Sequence, residues 1–456
     1  MFKKIMMPCH KLGLFKKLYK SLTSPFQKKV IRVESTNKTG TKDSLLLLIA
    51  VSLFCLLALE ITVRFMGDYD ADDRFYFKER LVIPAKVPYN SLINGIERFK
   101  SSQNPYLIPN GQLGWVTNNN TEYAGMYRSN SIGLRTDKEF NITKNPGILR
   151  IALFGDSYIH SLDVPFEESL EHYLRERFDE NKVEIMNFGN GGYGNDQAYL
   201  RWLVQGRGYN PDIVIIGFQP ENCKRNLNII RQFYKGEGDM PFSKPRFIYK
   251  DKKLTLVNYP TISYESLPEE LKDFERSYLR EYEYYYRPKE DITDKMVHMS
   301  RALSTALVVM NYIGYYGYDG LFESRKFDKE FFRDGSDETE LCYRVLNKFA
   351  LEASATSEVY FVHIPLQYSL QDKLNGREFY YAPLLSMLKE NFRVIDPTEY
   401  FLKEAKATSL KGLFVGHYSG KGNKILADTI YESLNNEDFT SQQIPLHKTY
   451  ISTQEN

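Results

Sequence analysis

Five short apolar runs rich in β-branched residues follow one another from residue 149 onward, and they constrain the fold more than any other feature of the chain. Residues 166–178 and 196–208, which separate the first three runs, have the length and period of helices. Strand, helix, strand in this rhythm is typical of βαβ units, which build a parallel sheet covered on both faces. The predicted strands are residues 149–155, 183–189, 212–218, 358–364 and 392–396.

Length and composition place the chain among globular proteins. Its 456 residues suffice for two ordinary domains or for one domain with a large insertion. Hydrophobic residues make up 42% and charged residues 26%, which excludes a disordered chain, and a net charge of +2 gives no field that favours nucleic acid. The 34 tyrosines indicate a Tyr-rich core or, alternatively, a surface for carbohydrate or a partner.

An uncharged, Leu-rich run at residues 44–59 predicts a membrane span that extends to about residue 66. Eleven Lys and Arg residues precede this run, whereas Asp68, Asp70, Asp72 and Asp73 follow it. By the positive-inside rule, the basic tail, residues 1–43, stays in the cytoplasm and everything after Gly67 lies outside. No small-residue cleavage site follows, so we expect a signal anchor rather than a cleaved signal peptide.

The part of the chain after the predicted membrane span divides into segments that differ in composition and periodicity. Residues 67–147, rich in Asn, Gly, Pro and Tyr, predict an extended lead-in segment, and residues 148–435 predict the main domain. Residues 224–345 interrupt the strand–helix rhythm as an insertion that we expect to shape a binding face. Its apolar stretch MSRALSTALVVMNYIGYYGY is broken by polar residues, so we predict no second span there. Residues 436–456 form a polar tail.

The four cysteines show no CxxC spacing, so neither a zinc site nor a redox motif is indicated. Cys9 and Cys55 fall in the cytoplasmic and membrane segments. Cys223 and Cys342 are therefore the two cysteines that could contact each other outside the cytoplasm. We expect two free buried thiols, with a disulfide as the alternative.

Polar residues gather where the predicted strands end, the edge at which parallel sheets hold their reactive groups. Gly155-Asp156-Ser157 ends the first strand, and we expect Ser157 at the start of the next helix, whose amides could stabilise developing negative charge. The serine there is either a nucleophile or, like Asp156, a helix N-cap. A Gly-rich loop, NFGNGGYGND, follows the second strand and contains Gly192. Asn222 follows the third strand, and His417 precedes a helix predicted from about Ser419.

The order of these blocks resembles the SGNH (GDSL-type) hydrolase family over about residues 105–435. The lead-in LGWVTNNN and the closing GHYSGKGN are similar to bacterial membrane-anchored members. The resemblance implies a flavodoxin-like three-layer α/β/α fold with a five-stranded parallel sheet. It also implies that Ser157 is the nucleophile, that His417 is its base, and that an oxyanion hole is built by Ser157, Gly192 and Asn222.

Two positions depart from the family pattern. Phe414 and Val415 stand where the family places an Asp before the His, so we expect a Ser–His dyad on a backbone carbonyl, or Asp396 as a substitute that orients His417. Glu221 takes the Asn place if the third block aligns without a gap, but an ionised Glu cannot donate a hydrogen bond, and we therefore prefer Asn222.

The leading hypothesis is an ester hydrolase or O-acyltransferase that removes or transfers acetyl or other O-acyl groups on extracytoplasmic glycans. A non-catalytic glycan-binding or assembly subunit with the same fold is the alternative, and a phospholipid-directed lipase is a third. We expect no metal or organic cofactor, since no HExxH, Walker or dinucleotide motif occurs. An acylated glycan or other ester and the membrane are the expected partners, without nucleic acid; protein partners are not specified.

Overall fold

The computed structural model describes residues 41–78, 80–83, 87–235, 240–286, 299–316 and 326–436. The predictions for the basic tail up to residue 40 and for the polar tail from residue 437 lie outside these ranges. The described residues divide into two units, one up to residue 59 and one from residue 60 onward. In the described part, one helix, Asp43–Met66, is long and apolar enough to cross a membrane by length and composition.

The helices have the following bounds. In chain order they are α1 (Thr41–Met66), α2 (Tyr89–Ser101), α3 (Leu170–Arg177), α4 (Asn195–Val204), α5 (Pro220–Arg225), α6 (Arg231–Tyr234), α7 (Leu267–Lys272), α8 (Arg301–Tyr316), α9 (Lys326–Phe331), α10 (Asp337–Ala353), α11 (Gln367–Leu374), α12 (Ala382–Asn391), α13 (Thr398–Ala407) and α14 (Gly420–Leu434).

The predicted parallel sheet is confirmed, and its five strands fall within the five apolar runs. They are β1 (Leu149–Phe154), β2 (Val183–Asn187), β3 (Ile213–Phe218), β4 (Glu358–His363) and β5 (Val394–Ile395). Their spatial order is β5-β4-β3-β1-β2, the flavodoxin-like order 2-1-3-4-5 read from the other edge. The order reverses between β1 and β3, so the ends of these two strands form the crevice in which such sheets bind ligands.

Side chains alternate across the sheet and build one core on each face. In β1, Ile151 and Leu153 face helices α3, α11, α13 and α14, whereas Ala152 and Phe154 face α4, α10 and α12. All four side chains are buried, and each large one contributes roughly 1.5–3 kcal/mol to stability. Burial on both faces explains why β1 reads as a continuous apolar run.

The lead-in segment, predicted to be extended, has more regular structure than expected. Helix α2 buries Leu92 and Ile96, which are one turn apart, against the insertion residues Leu267 and Phe274. The remaining strands of this segment pair locally and antiparallel. They are Gly67–Tyr69, Phe75–Phe77 and Arg80–Ile83 in one sheet, Leu107–Asn110 with Gly114–Thr117, and Glu122–Tyr123 with Tyr127–Arg128.

The insertion contributes to the core of the domain as well as to its surface. It contains a hairpin, Arg246–Lys250 with Lys253–Val257, and helices α6 to α9. Helix α10 begins inside the predicted insertion, and its Val345, Leu346 and Phe349 pack on the sheet.

Candidate active site

The segment after β1 holds Ser157 in a series of turns rather than at the start of a helix. A side chain at Gly155 would overlap Ile159, so this position requires glycine where the chain leaves the sheet. The turns are closed by hydrogen bonds from His160 N–H to Asp156 O (2.9 Å) and from Leu162 N–H to Ser157 O (3.0 Å). Ser161 and Asp163 adopt positive φ, which interrupts any helix, and α3 begins only at Leu170.

This arrangement corrects two expectations about Ser157. The serine does not lie at a helix start, so the amides of a first helical turn are not available to it. For the same reason Asp156 and Ser157 are not N-caps, which was the alternative interpretation of this motif. Both side chains are buried, Ser157 with 4% of its surface exposed.

Ser157 and His417 meet across 260 residues of sequence. Ser157 Oγ lies 2.7 Å from His417 Nε2. The histidine stands in a tight turn closed by Val415 N–H to His417 O (2.9 Å), directly before α14, whose N-cap is Ser419. The ring of Tyr158 packs against the imidazole with 4.7 Å between centroids. The predicted spatial pairing of the serine and the histidine is therefore present.

The acid that faces the other ring nitrogen is Asp163. Its Oδ2 lies 2.7 Å from His417 Nδ1 and also accepts the backbone N–H of His417 at 3.1 Å. Gly416, with φ +117°, lies so close to this carboxylate that a Cβ there would overlap it. The hydrogen bond from His417 holds the pKa of Asp163 below its usual range. Nδ1–H facing a carboxylate leaves the Nε2 lone pair toward Ser157 Oγ–H, the arrangement of a Ser–His–Asp triad.

Asp396 was considered as an acid that orients His417, but its carboxylate contacts a different histidine, His363. Its Oδ1 lies 2.9 Å from His363 Nδ1 at the end of β4, and its Oδ2 accepts from Lys389 at 2.6 Å. The dyad on a backbone carbonyl is likewise not what the structure contains. Sequence reasoning missed Asp163 because the family pattern places the acid just before the His, whereas this Asp follows Ser157 by six residues.

The Gly-rich loop after β2 is held against the lead-in segment. Trp115 donates its indole N–H to Gly191 O (2.9 Å), and Tyr193 donates its hydroxyl to Trp115 O (2.7 Å). Gly192 has φ +78°, and a Cβ there would lie 2.9 Å from Met240 Cε. The loop therefore favours glycine at this position because of its positive φ.

Arg225 joins all three strand-end blocks. Its Nη1 lies 3.1 Å from Asp156 Oδ2, 3.0 Å from Tyr193 O and 2.8 Å from Asn222 Oδ1. Because the Asn222 carboxamide turns its oxygen to Arg225, its Nδ2 donors point the other way. Asn222 is buried, whereas Glu221 is partly exposed and lies 3.6 Å from Lys224 Nζ. No sequence motif indicated that Arg225 would contact all three strand ends.

Cys223 and Cys342 form a disulfide, so the expectation of two free thiols is wrong. The bond joins α5 to α10 with 5.2 Å between the Cα atoms and closes a loop of 119 residues. It anchors the residue next to Asn222. Among the described residues, no group of three or more His, Cys, Asp or Glu side chains could hold a metal ion.

Comparison with known proteins gives only distant similarities. No family model and no curated protein matches the chain. Solved structures that align with it include a lipolytic protein of the G-D-S-L family from Veillonella parvula (10% identity, 62% of this chain and 97% of that one, TM-score 0.32). TesA aligns at 9% identity over 63% and 98% of the chains, with a TM-score of 0.32. Axe2, an acetylxylan esterase from Geobacillus stearothermophilus, aligns at 12% identity over 63% and 95%, with a TM-score of 0.33. At identities and TM-scores this low, no functional inference follows from these similarities.

Proposed function

We propose that this chain is a serine esterase or O-acyltransferase in which Ser157, His417 and Asp163 act as a triad. The observation that carries the proposal is the pair of 2.7 Å contacts that His417 makes, one from each ring nitrogen, to Ser157 and to Asp163. A serine hydroxyl becomes an effective nucleophile when an oriented base receives its proton. The non-catalytic alternative was motivated by the absent acid before His417 and by the uncertain Asn of the third block, and the contact of Asp163 with His417 weakens the first of these two reasons.

The reaction runs through an acyl-serine. Ser157 Oγ attacks the ester carbonyl carbon while its proton moves to His417 Nε2, and Asp163 stabilises the imidazolium. The tetrahedral intermediate then expels the alcohol oxygen, which takes the proton from His417. Water or a second hydroxyl attacks the acyl-serine by the same proton cycle, which gives hydrolysis or transfer respectively.

We assign the oxyanion hole to the backbone N–H groups of Ser157 and Gly192 and to the Asn222 carboxamide. Each such donor lowers the barrier by roughly 3–4 kcal/mol. Arg225 supports this assignment, because it ties Asn222 to the residues adjacent to Ser157 and Gly192. Its fixed position is consistent with donors that are already oriented when charge develops.

An extracytoplasmic glycan ester is the substrate class that we favour. The anchor helix, its basic N-terminal flank and the disulfide all fit a domain held outside the cytoplasm. A cavity of about 390 Å³ is lined in part by Tyr127, whose hydroxyl oxygen accepts the backbone N–H of Asp163 at 2.8 Å. Tyr127 and Phe166 line it together with Glu122, Asp137 and Glu167, a mixture of rings and hydrogen-bond acceptors that suits a sugar.

The test compares full-length wild type, Ser157→Ala and the control Ser354→Ala, whose hydroxyl caps a helix end far along the chain. We expect wild type and Ser354→Ala to hydrolyse p-nitrophenyl acetate and to react with a fluorophosphonate, and Ser157→Ala to do neither. Activity unchanged in Ser157→Ala would overturn the proposal. Acetylated oligosaccharides compared with long-chain esters then test the glycan assignment, and added sugar acceptor separates transfer from hydrolysis.

A further inference from the structure

Helix α8 of the insertion begins on the last turns of α1. The Glu60 carboxylate accepts hydrogen bonds from the backbone N–H groups of Arg301 and Ala302 and from the Ser300 hydroxyl, each at 2.9 Å. Arg64 also donates to Met299 O at 2.9 Å. Because a carboxylate at a helix N-terminus satisfies free N–H groups and complements the helix dipole, Glu60 fixes the start of α8.

Over residues 301–309 of α8, the described side chains include buried polar residues and exposed apolar ones. Its polar Ser304 and Thr305 are buried, with 2% and 7% of their surface exposed. Its apolar Leu303 and Leu307, one turn apart on the same face, are 40% and 37% exposed. A helix in water turns its polar side chains outward, so water is not the environment that this face fits.

The end of α1 beside α8 presents the same kind of surface. Ile61 and Phe65, again one turn apart, are 59% and 91% exposed. Val63, on the opposite side of the helix, is buried in a cluster that also includes Ala302 and Val308 of α8. Two helices fixed to each other thus expose apolar side chains. We call Ile61, Phe65, Leu303 and Leu307 the apolar surface.

The residues that border the apolar surface are those enriched at membrane interfaces. Arg301 donates from Nε to Tyr69 OH at 2.8 Å, and its guanidinium lies 5.5 Å from the centre of that ring. Tyrosine rings and long cationic side chains lie at the headgroup level, where one end of each is apolar and the other is hydrated.

We propose that α8 lies on the outer face of the same bilayer that α1 crosses, with Leu303 and Leu307 in the boundary between headgroups and acyl chains. Lipid is the occupant that the structure favours, because α1 continues from Glu60 directly into the uncharged segment without a break in the helix. The insertion would then hold the domain at a fixed height above the membrane. This inference depends on α1 as a membrane anchor and is independent of the esterase proposal.

The test places a tryptophan on the apolar surface of the full-length protein in phosphatidylcholine vesicles whose acyl chains carry bromine near the headgroup. Native Trp115 and Trp202 are buried, and wild type measures their background. Leu307→Trp is compared with Ile142→Trp, at a position 65% exposed elsewhere on the domain, and with Leu53→Trp within α1. We expect brominated lipid to reduce the emission of Leu307→Trp and Leu53→Trp but not that of Ile142→Trp.

Two outcomes would overturn the proposal. If the emission of Leu53→Trp is quenched and that of Leu307→Trp is not, α1 crosses the membrane and α8 does not lie on it. In that case, a blue-shifted emission of Leu307→Trp would assign the apolar surface to contact with a second copy of the chain. If neither is quenched, the anchor itself is wrong. Circular dichroism of each variant confirms that the protein is folded.

Discussion

Asp163 Oδ2 binds both Nδ1 and the backbone N–H of His417, although the two residues are 254 positions apart in the chain. Contacts from the ring and from the backbone to one oxygen fix the position of the imidazole as well as its tautomer. Asp163 lies on the segment that also carries Ser157, so one short stretch of turns positions both of the side chains that contact the His417 imidazole.

Asp163→Asn should lower kcat by roughly 10³–10⁴-fold, because an amide no longer selects the tautomer that can accept the serine proton. Asp396→Asn is the matched control: it breaks the contact with His363, so it should lower stability and leave kcat of the folded enzyme within a few-fold of wild type. Ester hydrolysis measured for both variants checks this. A larger loss of kcat in Asp396→Asn than in Asp163→Asn would indicate that Asp396 is the functional acid.

Asn222→Ala should lower kcat about 100-fold with little change in KM, because it removes a donor that acts mainly on the developing oxyanion. Glu221→Gln, at the neighbouring position, should change kcat little, since Glu221 lies near Lys224 and is partly exposed. Steady-state kinetics on one ester decides between the two residues. A larger loss for Glu221→Gln would mean that the third block aligns without a gap.

Arg225→Met should also lower kcat, by about 100-fold, with KM less affected, because the Asn222 carboxamide and the Tyr193 carbonyl lose their common donor. The substitution also removes the cation that pairs with the buried carboxylate of Asp156, so the free energy of unfolding should fall as well. Arg177→Met, which breaks a surface ion pair with Asp428, is the control. Equal kcat in the two variants, measured on folded protein, would exclude a positioning role for Arg225.

Replacing Cys223 and Cys342 together by serine should destabilise the protein by roughly 2–5 kcal/mol, since their bond constrains a loop of 119 residues in the unfolded chain. Cys55→Ser, at the exposed free cysteine, should leave stability unchanged. Urea unfolding in detergent, with and without a reductant, measures both. A reductant that leaves the wild-type midpoint unchanged would argue against the disulfide.

His160 should make the protein less stable in acid. Burial is the main cause that lowers its pKa to about 3, while Nδ1 and Nε2 lie 2.9 Å from Gly189 O and Tyr106 OH. In the unfolded chain the imidazole of His160 takes up a proton near pH 6.5, whereas in the folded chain it does so only near pH 3. The free energy of unfolding is therefore not lowered by this group above pH 6.5, and it decreases as the pH falls from 6.5 toward 3. We expect a loss of about 2–3 kcal/mol between pH 7 and pH 4.5, and a smaller loss in His160→Gln.

The sheet and the positions of the polar residues at its strand ends could be predicted from local patterns in the chain. Continuous apolar runs and helical period are such local patterns, so all five strands were predicted, and Ser157, Gly192 and Asn222 could be placed at strand ends before any contact was known. The helix predicted from about Ser419 is confirmed for the same reason, because its cap lies within its own first turn.

Contacts between groups that are far apart in the chain could not be predicted in this way, because they depend on the folded arrangement. Asp163 and Asp396 are both carboxylates in reach of the sheet edge, and the choice between them depends on the left-handed backbone at Asp163 and on the turn at Gly416. The pairing of Cys223 with Cys342, the three contacts of Arg225 and the outward apolar face of α8 likewise depend on packing between segments far apart in the chain. Local sequence patterns carry no record of such packing, because it is set by the fold as a whole.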